Sequence, residues 1–572
     1  MAAQQEPSYK AIAARKQAER DARIPSDWRL KTLPPASQTN VLDIPRTCGI
    51  LTERELQITE IRDATALIKD LQAGLVTSSQ VARAFCKRAA IAHQVTNCLT
   101  EIFFENALHR AKELDAHFAR NSKPVGPLHG LPISLKDTFR VRGYDSTVGI
   151  SALCFKPAKA NSTLVDMLLE AGAILYCKTN IPLTLMALDS HNNIFGRTLN
   201  PADRRLTAGG SSGGEGALLA MRGSILGVGT DVGGSIRIPA MCNELYGVKP
   251  SHGRVPYAGQ EPGGSKPGSE HLGIRASAGP MAHSMRDCEL LLRTISDLKA
   301  WERDPEVVPL VWTPTQPQRR PLRIGVIRTD GVTRPLPAIE RFMSETATRL
   351  SRSGGAVEIV ELDISSLLGK CQSLVNKLFS IDGGNTMFDL LEATGEPLSP
   401  WLQTRLRRKA RASHETVRDL HAERNALQTE FLKIWDSKGG YWGSKSSQAG
   451  VRLDALIAPV APHPLPPIDR WNTASYTSSF VLLDYAAGTL PVRQVVEADL
   501  VGDLPDIPLT GWDKVNRTLW TDVDRKLYLG TPLCLQVIAP RLHDQQLVEA
   551  MTVLDEVLRE QGNVAQVKAA KL

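Results

Sequence analysis

Disulfide chemistry has little to work with in this chain. Its nine cysteines (Cys48, Cys86, Cys98, Cys154, Cys177, Cys242, Cys288, Cys371 and Cys534) are odd in number, widely scattered and never spaced C-x-x-C. That pattern excludes a disulfide framework and a thiolate zinc site, and it implies reduced, mostly buried thiols in a reducing compartment. Long apolar runs are missing too: none approaches the roughly 18 residues needed to cross a bilayer. The N-terminal stretch MAAQQEPSYKAIAARKQAERDARIPSDW has basic residues but also Glu6, Glu19 and Asp21, and no apolar core. It fits neither a secretory signal nor a transit peptide, and the expectation is an intracellular protein. A large excess of charge of one sign is also missing, with 68 Lys and Arg against 61 Asp and Glu and a formal +7 over 572 residues. The densest basic run, Arg405, Arg407, Arg408, Lys409 and Arg411, reads as a solvated helix face, which argues against a nucleic-acid partner. No internal repeat is visible.

What is present is ordinary globular material, with 42% apolar and 23% charged residues. The length is compatible with one large domain or two. In DATALIKDLQAGLVTSSQVARAFCKRAAIAHQ, Ala66, Leu67, Leu71, Val81 and Phe85 carry helical spacing; Gly74 ends one helix, and Thr77 with Gln80 makes a capping box for the next. From about residue 125, short apolar strands alternate with helices, as in LVDMLLEAGAILYC, PLRIGVIRT followed by a helix over 338–352 and AVEIVEL, ALIAPV and TPLCLQVIAP. This alternation predicts an α/β fold: a large, twisted, mostly parallel mixed sheet covered by helices on both faces. A helical N-terminal segment over 1–95 is expected to wrap a catalytic domain over 96–572. The Gly/Pro-rich stretches 256–280 and 305–321 read as surface excursions or lids.

The chemistry centres on TAGGSSGGEGALLA, residues 207–220. A Walker-type phosphate loop needs a terminal Gly-Lys-Ser/Thr, and here Glu215 would repel a phosphate. Gly209-Gly210-Ser211-Ser212-Gly213 formally matches the G-x-S-x-G elbow of an α/β-hydrolase, with Ser211 as nucleophile and a histidine as base. That elbow needs an apolar strand before it, and NPADRRLTA is polar and Pro-containing. A third reading takes in more of the chain. Downstream, SILGVG runs into GVGTDVGGSIRIPA with Ser235 after Gly233-Gly234; upstream, Leu131, Ile133 and Leu135 alternate as a strand in HGLPISLKDTF and deliver Lys136 at its end.

These three segments resemble the amidase signature family. Its Gly-Gly-Ser-Ser-Gly-Gly block and its Gly-x-Gly-x-Asp-x-Gly-Gly-Ser-Ile-Arg-x-Pro block both stand here intact, with Lys136, Ser211 and Ser235 at matching spacing. Gly214-Glu215-Gly216 is similar to the acetamidase and fatty-acid-amide-hydrolase branch, and segments such as IPSDWRLKTLP, VGPLHGLPISLKD and LYGVKPSHGRVPYA resemble fungal acetamidases. The resemblance implies Ser235 as nucleophile, Ser211 as bridging serine and Lys136 as base, with no metal and no cofactor. Without side chains at Gly233 and Gly234, the amides of Val232, Gly233, Gly234 and Ser235 can converge on a carbonyl oxygen. Thr230, Asp231 and Arg237 are expected to brace that loop. LTLMALDSHNNIFG aligns with a pocket-lining segment, which nominates Met186 and Leu188, beside Ser211 and Ser212, for substrate contact; core packing is the other reading of that segment. Cys242 reads as packing.

A lysine base works only when neutral. With a reference pKa of about 10.4, Lys136 is expected to be buried, so that desolvation lowers it by several units. The implied activity is hydrolysis of a carboxamide, small and aliphatic or metabolite-derived, to an acid and ammonia. A Ser211 esterase with a histidine base, or the glutaminase subunit of an amidotransferase, are the competing readings. Expected partners are a small amide substrate, a second copy in a homodimer and, through Ala570-Lys571-Leu572, a relative of the Ser-Lys-Leu address, the peroxisomal import receptor.

Overall fold

Alternation along the apolar segments decides how the chain is layered. In the computed structural model, which describes residues 8–263, 272–313, 320–442, 451–470 and 473–569 (561–569 as helix backbone alone), eleven strands join one sheet. They are β1 (Leu99–Ile102), β2 (Pro132–Lys136), β3 (Ile174–Thr179), β6 (Leu226–Asp231), β7 (Tyr246–Lys249), β8 (Ser277–Ala282), β9 (Leu322–Ile327), β10 (Val357–Leu362), β11 (Ala455–Pro459), β12 (Ala486–Gln494) and β13 (Pro532–Ala539). Two short strands, β4 (His191–Asn192) and β5 (Gly196–Arg197), pair by themselves. The sheet order is β1-β3-β2-β6-β8-β7-β12-β13-β11-β9-β10.

Because successive residues of a strand point to opposite faces, neighbours enter different cores. On β11, Ala455 and Ile457 join one core while Leu456 and Ala458 join another; on β3, Leu175 faces the first core and Ile174 and Tyr176 a third. The helices Ala64–Gln72, Thr163–Glu170, Met285–Asp297, Pro337–Ser351 and Asp544–Ala569 supply the first face. On the other face lie Phe104–Asn121 and Gly213–Ala220 at one end and Ser365–Leu378, His414–Lys433 and Ser475–Leu482 at the other.

The sheet is mixed, as expected, but parallel pairing is not in the majority. The four parallel contacts form two blocks, β3·β2·β6 and β11·β9·β10. Six antiparallel contacts connect the centre and add β1 at one edge. Strand-helix-strand alternation marks the parallel blocks and is silent about how they join. Local signals fare better: Gly74 follows the helix Ala64–Gln72 with φ +69°, and both arms of the Thr77/Gln80 box cap Ser78–Thr96.

Charge ties the N-terminal helix Tyr9–Ala22 to the sheet. Lys16, 2% exposed, bridges Glu101 on β1 and Asp145, with its ammonium 2.7 Å from the Asp145 carboxylate, and Arg23 reaches Glu101 at 2.7 Å. A cavity of about 290 Å³ opens beside these groups. All nine cysteines are free, and eight are buried. Among the described residues, no helix is long and apolar enough to cross a membrane. The stretches 256–280 and 305–321 are described only outside 264–271 and 314–319, and the C-terminal tripeptide 570–572 lies outside the described residues.

Candidate active site

Lys136 ends β2, and Thr230 and Asp231 end β6, so the site forms at the carboxyl ends of two adjacent parallel strands. Within β6 the order Leu-Gly-Val-Gly sends Leu226 and Val228 into the first core. Gly227 and Gly229 face the other way, where the helix Gly213–Ala220 lies directly on the sheet. A Cβ on Gly227 would overlap the Glu215 carboxylate, and one on Gly229 would come within 2.9 Å of Ser212 Oγ. The two glycines are what let that helix, and Ser211 just before it, approach Lys136.

Lys136 is fully buried. Its Nζ lies 2.7 Å from Ser211 Oγ, 2.8 Å from Thr230 Oγ1 and 3.3 Å from the Thr230 carbonyl. Burial pulls its pKa down to about 7, against the opposing pull of Asp231, Asp137 and Glu215. The expectation of a buried lysine with a depressed pKa is met, and at pH 7 about half of it is neutral. Ser211 follows a cis Gly210–Ser211 peptide bond and is 2% exposed; Ser235 is 5% exposed. The Ser212 amide donates to the Ser235 carbonyl at 3.2 Å, which joins the two serine loops. Among the described residues the Ser235 hydroxyl makes no hydrogen bond to Ser211, and no histidine bonds to either serine.

The loop after β6 is braced from within. Arg237, fully buried, holds Asp231 through two contacts of 3.0 Å and reaches the Thr477 carbonyl at 2.9 Å and the Gln536 side chain. Burial works against the Asp231 charge, but the Arg237 guanidinium holds its pKa down at about 2. Asp231 in turn accepts from the Gly234 amide at 2.7 Å and the Ile236 amide at 3.2 Å. This corrects one expectation: the Gly234 N–H is engaged with Asp231. The amides of Val232, Gly233 and Ser235 have no acceptor among the described residues. Gly234 adopts φ +130°, and a Cβ there would overlap Thr477 Oγ1, so only glycine fits.

Ser212 is a second correction. It is fully buried, with its hydroxyl 3.5 Å from the Thr230 carbonyl, and leaves no face for a substrate. Met186 and Leu188 sit on a segment pressed against the serine loop: a Cβ on Gly210 would meet the Ala187 carbonyl at 2.6 Å and the Leu188 carbonyl carbon at 2.8 Å. Met186 is 37% exposed, and Leu188 is half-buried against a small core that includes Cys242. Cys242 itself packs behind Gly209, and burial pushes its thiol pKa well up.

Sequence reasoning missed three partners. Glu215 is a buried carboxylate whose oxygens accept from Ser134 and, at 2.7 Å, from Thr179. Burial pushes its pKa up to about 7 against those donors and the charge of Lys136. Its sequence context shows a carboxylate beside glycines and nothing of the two strands it contacts. Thr477 and Gln536 come from SYTSSFVL and PLCLQVIA, which carry no signature of a catalytic loop.

Comparison with known proteins gives the chain's relatives. The Amidase family model matches residues 80–548. An acetamidase of Emericella nidulans is 37% identical over 97% of this chain and 99% of its own length. An acetamidase of Aspergillus oryzae is 36% identical over 96% and 99%. A solved fatty acid amide hydrolase superposes with a TM-score of 0.84 at 28% identity, covering 96% of this chain and 95% of its own. A lysine, two serines and an amide-lined loop at the ends of adjacent strands, on a chain that matches these relatives over nearly its full length, identify a member of the amidase signature family, an enzyme that hydrolyses amides.

Proposed function

We propose that the enzyme cleaves small aliphatic carboxamides to a carboxylic acid and ammonia through Ser235, Ser211 and Lys136. The observation that carries this is the 2.7 Å contact between Ser211 Oγ and the Nζ of a fully buried lysine. A neutral amine has two N–H donors and one lone pair. The Thr230 carbonyl and hydroxyl occupy the donors, which leaves the lone pair for the Ser211 proton.

In the acylation step Ser235 closes onto Ser211 and passes it a proton, while Ser211 passes its own to Lys136. The Ser235 oxygen forms a bond to the substrate carbonyl carbon, and the carbonyl π pair moves onto oxygen. The amides of Val232, Gly233 and Ser235 receive that oxyanion; one such donor contributes about 3 kcal/mol to the transition state. Collapse breaks the C–N bond, and the leaving nitrogen takes the proton back along the same relay. Water then adds to the acyl-Ser235 ester by the same route and releases the acid. Thr230, Asp231 and Arg237 hold the loop, and Met186 and Leu188 contribute to the acyl pocket.

The names of the two acetamidase relatives support a short acyl group. An ammonia-release screen over amides of rising acyl size, run with wild type and Ser235→Ala, tests the reading. Turnover that survives Ser235→Ala defeats it, and a histidine substitution that abolishes turnover while Lys136→Ala does not would favour the esterase arrangement. Ammonia release by the isolated chain argues against a glutaminase subunit.

We further take residues 1–95 as a wrap on a catalytic unit over 96–572, and Ala570-Lys571-Leu572 as a peroxisomal address that a C-terminal fusion would mask. Exposed Val501 and Ile507 supply an apolar surface for a homodimer, testable by the mass in solution.

A further inference from the structure

Three successive carbonyls of the loop after β6 each accept a hydrogen bond, but not from the same kind of donor. The Ile238 amide donates to the Gly234 carbonyl at 2.8 Å, and the Ser212 amide to the Ser235 carbonyl at 3.2 Å. The Gly233 carbonyl instead accepts from a side chain 244 residues further on, the Thr477 hydroxyl, at 2.5 Å. Thr477 has one hydroxyl proton and a second acceptor within reach, the Ala474 carbonyl at 3.1 Å. That carbonyl already accepts from the Thr477 amide at 3.0 Å and the Ser478 amide at 2.8 Å, which occupies both of its lone pairs. The hydroxyl proton therefore goes to Gly233.

The nitrogen of the same peptide unit is held as well, since the Gly234 amide donates to Asp231 at 2.7 Å. Both polar groups of one peptide plane are thus pinned by side chains, at a place where neither Gly233 nor Gly234 has a side chain to restrict its rotation. The amides of Gly233 and Ser235 belong to the rigid planes on either side, so the plane between them fixes their relative angle. Thr477 is itself fully buried on a helix, Ser475–Leu482, that is tied down in several directions. The Tyr476 hydroxyl donates to the Thr333 carbonyl at 2.7 Å, Gln536 donates to the Tyr476 carbonyl at 2.8 Å, Arg237 to the Thr477 carbonyl at 2.9 Å, and the Ser478 hydroxyl to the Gln372 side chain at 2.9 Å.

We propose that Thr477 is a positioning residue for acyl transfer: its hydroxyl holds the Gly233–Gly234 peptide in one orientation and so keeps the Gly233 and Ser235 amides aimed at one oxygen. The inference rests on the Ser235 reading above. Donors help the transition state only when they are aimed before charge develops. Of the three carbonyl contacts, two come from backbone amides that every residue but proline supplies, and the third is carried by one hydroxyl. Removing it frees the plane to rotate and leaves the loop's other contacts in place.

The test measures kcat and KM for acetamide in wild type, in Thr477→Val, which keeps the shape and loses the hydroxyl, and in Thr477→Ser, which keeps the hydroxyl. In Thr477→Val kcat is expected to fall about tenfold to a hundredfold, less than the loss of a whole oxyanion donor, with KM within about threefold of wild type. Thr477→Ser should bring kcat back to within about threefold of wild type. A kcat within about twofold of wild type in Thr477→Val, or a loss as large in Thr477→Ser, overturns the proposal. If Thr477→Val does not fold, Thr477→Ser is compared with Thr477→Cys, whose thiol donates only weakly, and equal kcat values overturn the proposal. If wild type hydrolyses no amide through Ser235, the carboxamide reading fails, and the role of Thr477 is decided by the rate at which ethyl fluorophosphonate labels Ser235. Phosphonylation also builds charge on an oxygen over these amides, so labelling must slow about tenfold or more in Thr477→Val and recover in Thr477→Ser. An unchanged rate in Thr477→Val, or no labelling of Ser235 in wild type, overturns the proposal.

Discussion

With Lys136 as the proposed base, the pH dependence of turnover is set by that lysine, and its size follows from the burial of one amine. Moving a lysine from its ordinary 10.5 to about 7 corresponds to about 5 kcal/mol against the charged form. The neutral, base-competent fraction is then about 0.01 at pH 5, 0.1 at pH 6, 0.5 at pH 7 and nearly 1 at pH 8 and above. kcat/KM is therefore expected to rise about a hundredfold from pH 5 to 9 and to be level above pH 8. A lysine left at 10.5 would give a rise of about tenfold per unit through the whole range. Stability carries the same signature. The folded pKa is lowered, so between about pH 7 and 10.5 the unfolded chain binds the extra proton and stability rises with pH, while below pH 7 the full cost is present. Lys136→Met removes the group, and wild type should gain on it by about 1.4 kcal/mol per pH unit across that window. The assay is the pH profile of kcat/KM on acetamide, paired with a difference titration of native wild type against Lys136→Met. A tenfold-per-unit rise that continues to pH 9, or no difference proton with a midpoint below pH 8, would refute the reasoning.

Glu215→Gln removes a buried carboxylate whose charge favours protonated Lys136, so the acid limb of that profile should move to lower pH; an unmoved midpoint in a folded variant contradicts the coupling. Gly234→Ala places a Cβ against Thr477 and within 2.7 Å of Ile238 at a left-handed backbone, so it should lose about 1–3 kcal/mol in urea unfolding together with most of its turnover. Gly233→Ala, whose nearest neighbour is Phe379 at 3.7 Å, should unfold within about 1 kcal/mol of wild type. Arg237→Ala leaves Asp231 buried without its cation, with an expected loss of about 3–5 kcal/mol; a midpoint within error of wild type would mean that the pair does not hold the loop.

The local chemistry was legible wherever a short stretch of chain dictates its own backbone or burial. Leu131, Ile133 and Leu135 alternate, so one face of β2 is apolar and Lys136 falls at its buried end. Thr77 and Gln80 satisfy each other's amides whatever else the protein does. The Leu-Gly-Val-Gly order of β6 encodes one face for a core and one for a close helix. Lys136, Ser211 and Ser235 were identifiable as a set because motif and spacing survive in the sequence.

Other features depend on segments that meet only in the folded chain. The antiparallel centre of the sheet, the Asp231 bond that takes up the Gly234 amide, and the inward turn of Ser212 each reflect which neighbour reaches a polar group first. Thr477 lies well over a hundred residues beyond the loop it contacts, and Glu215 gains its meaning from Ser134 and Thr179 on two other strands. By itself, then, the sequence determined the fold class and nominated the three residues proposed to react, because alternation, glycine placement and motif are properties of the local chain. Only the tertiary structure decided which amides of the loop are left without an acceptor and how far the pKa of Lys136 is depressed, because desolvation and hydrogen-bond partners are properties of packing.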